Sequence, residues 1–301
     1  MVMEVILCSP RGFCAGVVRA IQVVEECLQR FGPPIYVKHQ IVHNPYVVED
    51  LESRGAVTVE TVEEIPSGSR VVFSAHGSPP EDFEQARERN LQVIDAVCPL
   101  VTRVHNEAKK YNREGHRVIL VGHQGHQEVK GTMGQAPMHL MDDNSVTEMP
   151  DWDPETPVAV LTQTTLSVGD TASAIDAIKE QFPNSQIRND ICYATTNRQD
   201  AVSKMASLVD LALVIGAQNS SNCNRLLELA KSLGVHAYLI NGPGELRPEW
   251  VVDVKVVGIA SGASTPEILV EEVIRALKPE KVTLLEGVEE NITFTMPREL
   301  Q

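Results

Sequence analysis

The chain reads as an α/β protein built from three similar small lobes with parallel sheets. Three observations predict this. A short apolar run, a small polar loop and a helical pattern recur along the chain. Cys14, Cys98 and Cys192 each stand where such a loop passes into a helical pattern. These cysteines lie 84 and 94 residues apart, and each interval suits one small α/β lobe. The expected lobes are 15–98, 99–190, and 1–14 together with 191–280. Residues 281–301 are expected as a C-terminal tail packing across the lobes.

The elements follow in order. VILCSPRGFCAG (5–16) opens with an apolar run and passes into a helix. There Val17, Ala20, Ile21, Val24, Cys27 and Leu28 share a face. VVFSAHGS (71–78) is the next run of this kind. The 101–111 segment is helical, with Val101, Val104, Ala108 and Tyr111 on one side and Gly115 suited to its C-terminal end. VILVGHQGHQE (118–128), VAVLTQTTLS (158–167), LALVIGAQNSSN (211–222) and VVGIASGAST (256–265) repeat the run-and-loop pattern. Apolar runs of this length bounded by glycine and polar residues read as buried strands. Alternation with helices makes the sheets parallel and covered on both faces. A helix over 266–277 begins with Pro266, and Ser264 with Glu267 fits a capping box. VEENITFTMP (288–297) alternates like an edge strand.

Composition narrows the function classes. Of 301 residues, 43% are hydrophobic and 22% charged, as in a packed soluble protein. No apolar run approaches the ~20 residues of a membrane span, and the start lacks the features of a signal peptide. A cytoplasmic protein is expected. The net charge of −15 argues against nucleic acid and anionic membranes as partners. Positive potential for an anionic substrate must then be local. The six cysteines include no C-x-x-C pair and are expected as thiols in a reducing cytosol.

A thiolate at a helix N-terminus is electrostatically favoured, which suits Cys14, Cys98 and Cys192 to ligation. From spacing alone each is equally well explained as a small buried hydrophobe. Cys8 in a strand and Cys27 on an apolar helix face fit that second description, and Cys223 in NSSNCNRL is less clear. Soft thiolates suit zinc, Cu(I) or iron–sulfur clusters. Three cysteines complete neither a structural zinc site nor a fully ligated cluster, so a cluster on three cysteines leaves one iron open.

Ligands of open α/β sheets bind beyond the carboxyl ends of the strands. Those ends carry His76, His126, Glu128, Thr164, Thr165, Ser220, Ser221, Asn222 and Ser264. His76 and His126 have glycine neighbours that let backbone approach a ligand. His43 has thinner support, and His123 reads as structural. Glu128, two residues from His126, suits proton delivery, although a loop glutamate is most often solvated. The TQTT, NSSN and GAST loops are good helix caps, but their repetition favours reading them as phosphate sites.

Taken together, PRGFCAGV, VHNPYVV, FSAHG, DAVCPLVTRVH, VGHQGHQEVKGTMGQ, LTQTTLS, DICYATTNRQ, NSSNCNRL, AGAST and EENITF closely resemble the 4-hydroxy-3-methylbut-2-enyl diphosphate reductase family. The match runs over essentially the whole chain. The resemblance implies a pseudo-threefold α/β trefoil around a central 4Fe-4S cluster ligated by Cys14, Cys98 and Cys192. It implies reductive dehydroxylation of an allylic diphosphate to isopentenyl and dimethylallyl diphosphate, with the hydroxyl on the open iron. His43, His76, His126, Ser220, Ser221, Asn222 and Ser264 would contact the diphosphate. Glu128 would relay protons with Thr164 and His126 beside it; Thr165 and Thr195 lie close to this set. Ferredoxin or flavodoxin would donate electrons, and no G-x-G-x-x-G fingerprint indicates direct NAD(P)H binding. The open iron would be the first lost to oxygen, leaving 3Fe-4S. Gln127 stands where the family more often has proline, and Cys223 where serine is common; the latter would add an oxidisable thiol near the diphosphate loop. A zinc metallohydrolase using His76, His126 and Glu128, or a non-enzymatic iron–sulfur redox sensor, are the alternatives.

Overall fold

A computed structural model describes residues 3–142 and 149–301. In chain order the elements are β1 (Glu4–Leu7), α1 (Ala15–Phe31), β2 (Ile35–Lys38), α2 (Pro45–Ser53), β3 (Ala56–Val59), β4 (Arg70–Phe73), α3 (Pro80–Glu88), β5 (Gln92–Asp95), α4 (Pro99–Arg113), β6 (Arg117–Val121), α5 (Gln127–Met133), β7 (Met138–Met141), β8 (Val158–Thr162), α6 (Val168–Gln181), β9 (Gln186–Ile187), α7 (Tyr193–Ala206), β10 (Leu211–Ile215), α8 (Ser221–Ser232), β11 (His236–Ile240), β12 (Val256–Ser261), α9 (Glu267–Leu277) and β13 (Lys281–Leu284).

The strands form three wholly parallel sheets, as the alternation of strand and helix predicts. Their orders are β3-β2-β4-β5, β7-β6-β8-β9 and β11-β10-β12-β1-β13. Each lobe repeats one plan. The first strand of the lobe lies between the second and third, and a fourth lies outside the third. In the last lobe the fourth position is filled by β1, from the start of the chain. The chain divides into two compact units. Met1–Val17, His43–Val47 and Tyr193–Ile292 make the first, which contains the β10–β13 lobe. Val18–Val42, Val48–Cys192 and Thr293–Gln301 make the second, which contains the other two lobes.

The apolar runs become central strands because helices cover both faces. In β10 all five residues are buried: Leu211, Leu213 and Ile215 pack with Val270 and Val273 of α9, while Ala212 and Val214 face Val202 of α7 and Leu226 of α8. In the second unit Val118 and Leu120 meet Val104 and Ala108 of α4, and Ile119 and Val121 meet Ala174 and Ile178 of α6. Helix α4 buries Val101, Val104, His105, Ala108 and Tyr111, the stripe its sequence implies. Gly115 ends that run at φ +82°, and its N–H bonds the Asn112 carbonyl.

Two C-terminal details differ from the sequence reading. Residues 281–284 pair with β1 as a fifth strand, so they are part of a sheet rather than of a tail. Residues 288–297 form no strand. Side chains anchor them instead: Glu290 accepts from Asn197 and Arg198, and the Thr295 carbonyl accepts from Arg19 Nε. The capping box at Ser264 is also absent. Pro266 is the cap of α9, Ser264 Oγ donates to the His43 carbonyl, and Glu267 is held by Arg11.

Candidate functional site

Burial sorts the six cysteines into two groups. Cys8, Cys27 and Cys223 are fully buried, whereas Cys14, Cys98 and Cys192 are half-buried, and none of the six is in a disulfide. Burial pushes the Cys8 thiol up to about 12 and the Cys27 thiol up to about 11, so both are inert core residues. Cys223 lies against Gly216 and Gly262, where any added Cβ would come within 2.3 Å of its sulfur. Burial raises its pKa too, which makes it a packing residue rather than the oxidisable thiol its sequence position suggested.

The half-buried three share one setting. Cys14, Cys98 and Cys192 immediately precede α1, α4 and α7. Their N–H groups donate to the carbonyls of Ala263, Ala75 and Thr164, each at 3.0 Å. Each acceptor lies two residues past the end of the third strand of its lobe, β12, β4 or β8. One backbone device therefore positions a thiol three times. Burial raises the Cys14 pKa, while the N–H groups of Val17 and Gly16 and the charge of Arg198 pull it down. A soft metal centre offsets such burial by ligating the thiolate. Three half-buried thiols at helix starts, set apart from three core thiols, are each the soft donor type that iron–sulfur clusters take.

The remaining candidates fall into two sets, one in each unit. The first unit gathers His43, Ser220, Ser221, Asn222, Ser264 and Thr195. Ser220 caps α8, its Oγ accepting from the Cys223 N–H at 3.4 Å. Asn222 accepts from the Ala263 N–H at 3.1 Å and donates to Thr195 Oγ1 at 3.4 Å. Ser264 Oγ reaches the His43 carbonyl at 3.1 Å. The loops after β10 and β12 thus meet at the point where the strand order reverses. Ligands of α/β sheets bind at such points, and a capped helix N-terminus favours phosphate.

The second unit gathers His76, His126, Glu128 and Thr164. His126 caps α5, its Nδ1 accepting from the Glu128 N–H at 3.2 Å. His76 follows β4 and faces His126 with ring centroids 6.1 Å apart. The loops of their two lobes approach this closely because Gly131 of α5 has no side chain; a Cβ there would lie 2.9 Å from the Gly77 carbonyl oxygen. Glu128 is not a solvated loop residue, being only 3% exposed in the first turn of α5. Its Oε1 accepts from the Thr164 N–H at 2.7 Å and its Oε2 from Thr164 Oγ1 at 2.9 Å. Burial is the main force on this carboxyl. It outweighs both hydrogen bonds and, helped by the nearby Asp190 charge, lifts the pKa to about 7. An acid so placed exchanges its proton near neutral pH. Among the described residues, His76, His126 and Glu128 are not a group whose ligand atoms converge closely enough to hold one metal ion, which weakens the zinc reading. His123 is held by Gln163 and pairs with Asp142, in keeping with a structural role.

Sequence reasoning gave no role to Asp190, Arg198 or Glu290. All three are largely buried charges. All three stand in motifs quoted above, but a sequence does not show which charged residues will be enclosed. Among the described residues no helix is long and apolar enough to cross a membrane.

Comparison with known proteins agrees with this architecture. Residues 5–278 match the LytB protein family. A relative in Bradyrhizobium diazoefficiens, 4-hydroxy-3-methylbut-2-enyl diphosphate reductase 2, is 53% identical over 99% of both chains. The corresponding reductase 1 of Rhodopseudomonas palustris is 52% identical over 98% of each. The solved E-1-hydroxy-2-methyl-but-2-enyl-4-diphosphate reductase of Plasmodium falciparum superposes with a TM-score of 0.95 at 36% identity, covering 99% of this chain and 96% of that one. Full-length matches at this identity leave no part of the three-lobed chain outside the relationship: the chain belongs to the LytB family.

Proposed function

We propose that this chain reductively dehydroxylates (E)-4-hydroxy-3-methylbut-2-enyl diphosphate, with Cys14, Cys98 and Cys192 holding a 4Fe-4S cluster. Two electrons and two protons are consumed, the allylic C–O bond breaks, the oxygen leaves as water, and isopentenyl or dimethylallyl diphosphate remains. The cluster would supply the electrons and, at the iron without a cysteine, the Lewis acid for the hydroxyl. The protein's residues do the rest. The N-terminus of α8, with Ser220, Ser221 and Asn222, offers N–H and hydroxyl groups to the diphosphate. Ser264, His43, His76 and His126 add further donors to the same anion without a lysine or arginine. Glu128 holds the proton at its carboxyl, and Thr164 holds both of its oxygens in place. A one-electron carrier of the ferredoxin or flavodoxin class would supply the electrons, in the cytoplasm.

The observation that carries this reading is the thrice-repeated placement of a half-buried cysteine on a carbonyl two residues past the third strand of a lobe. Its test is anaerobic purification with iron and sulfide analysis. Wild-type protein should carry about one cluster. Cys98→Ser should lose iron and turnover, whereas Cys27→Ser, which alters a core thiol, should keep both. A normal cluster in Cys98→Ser would remove the assignment.

A further inference from the structure

Three of the segments that mark the family meet at one side chain with no role in the chemistry above. Arg198 of α7 is 1% exposed and heads the largest fully buried side chains. Its Nη2 donates to the Gly12 carbonyl at 2.8 Å, in PRGFCAG. Its Nη1 donates to Glu290 Oε1 at 2.9 Å, in EENITF, and to the Ala194 carbonyl at 2.9 Å. Asn197 Nδ2 joins Glu290 Oε1 at 3.1 Å. Gly12 is two residues before Cys14 and sits at φ +71°; its N–H is held by Ser261 Oγ at 2.9 Å. Tyr193 accepts from the Ala15 N–H at 3.2 Å. The loop that ends in Cys14 is thus fixed at Gly12 N, Gly12 O, Cys14 N and Ala15 N; Arg198 supplies the buried charged contact among these, whereas the loop's Arg11–Glu267 pair is part-exposed.

An ion pair with its cation fully enclosed and its anion largely so is a poor source of stability, because desolvation offsets most of the attraction. Apolar residues of similar volume would pack the same space. What the pair provides is a fixed cation and a fixed anion in a low-dielectric region beside a thiol, where charge acts strongly.

We infer that Arg198 and Glu290 are positioning residues that hold the Cys14 loop and set the reduction potential of the centre bound there. The inference rests on the reading of Cys14 as a cluster ligand. Arg198 favours the electron-rich reduced centre; Glu290 opposes it and neutralises Arg198. The two charges therefore act in opposite directions, which a scaffold role would not produce.

The experiment is a redox titration of the anaerobic holoprotein, followed by its visible and electron-paramagnetic-resonance spectra, with iron and sulfide measured on every sample. Arg198→Met should shift the midpoint downward and Glu290→Gln upward. The double variant should return toward wild type. Arg198→Lys keeps the charge and should keep the midpoint. Proteolysis of the cluster-free protein gives a second readout: Glu290→Gln should expose residues 285–297 to cleavage faster than wild type. Shifts of the same sign in both single variants, no shift in either, or an equal shift in Arg198→Lys and Arg198→Met would overturn the inference. So would loss of the cluster from Arg198→Lys and Glu290→Gln alike, which would make the pair scaffold only. Failure of the underlying reading looks different, because wild-type protein would then contain no cluster or Cys14→Ser would retain it.

Discussion

Replacing Glu128 with glutamine isolates what it costs to hold a carboxylate in this buried position. The folded carboxyl has a pKa of about 7, against 4.5 for the unperturbed group. The folded chain therefore binds this proton more tightly than the unfolded chain. That contribution to stability is complete below about pH 4.5 and is lost as the pH rises to about 7. The gap between the two values corresponds to about 3 kcal/mol. Glutamine does not ionise, so the Glu128→Gln variant escapes the loss. It keeps an acceptor for one Thr164 donor and faces the other with an amide, which costs about 1 kcal/mol. At pH 8 the variant should therefore be more stable than wild type by about 2 kcal/mol, and at pH 5 equal to it or slightly less stable. Urea unfolding of both proteins at the two pH values, under anaerobic conditions, measures this directly. The same variant should bind substrate and fail to turn it over, a stabilised protein with lost function. Parallel pH profiles of stability for the two proteins would refute the reasoning, because the carboxyl would then not be proton-bound by burial.

Other perturbations follow from the same geometry. Thr164→Val keeps the N–H bond to Oε1 but removes the hydroxyl donor to Oε2, a bond that lowers the Glu128 pKa; the alkaline limb of the kcat profile should move to higher pH, and an unmoved limb would separate Thr164 from the acid. Ser220→Ala removes the N-cap of α8 and should cost about 1 kcal/mol of stability, with a larger KM for the diphosphate seen in steady-state kinetics. Gly77→Ala should be destabilising by about 1 to 3 kcal/mol in urea unfolding, since its φ is +82° and a Cβ would lie 2.7 Å from the His105 ring.

Several features were legible in the chain for simple reasons. The six apolar runs that end in polar loops all became β-strands, because a strand covered on both faces must be apolar throughout. Strands β2, β3, β5, β7, β9, β11 and β13 were not singled out. Most are short, and β13 is exposed throughout, so their patterns are weak outside the ladder that pairs them. Residues 288–297 show the opposite error. Their alternation is that of a strand, yet side chains from elsewhere hold the Glu290 carboxylate and the Thr295 carbonyl in place of a partner strand.

The sequence by itself determined the lobed α/β plan, the family and the residue types at the loop ends, since these depend on local pattern and on motifs. Only the tertiary structure decided which cysteines are half-buried, that Glu128 is enclosed with Thr164 on both oxygens, and that Arg198 joins Gly12 to Glu290. Burial and partnership depend on segments far apart in the chain. Glu128 and Thr164 are 36 positions apart, and Arg198 and Gly12 are 186 apart. A local pattern carries no record of what distant residues will exclude from water, and that exclusion is what turns an ordinary glutamate into an acid with a pKa near 7.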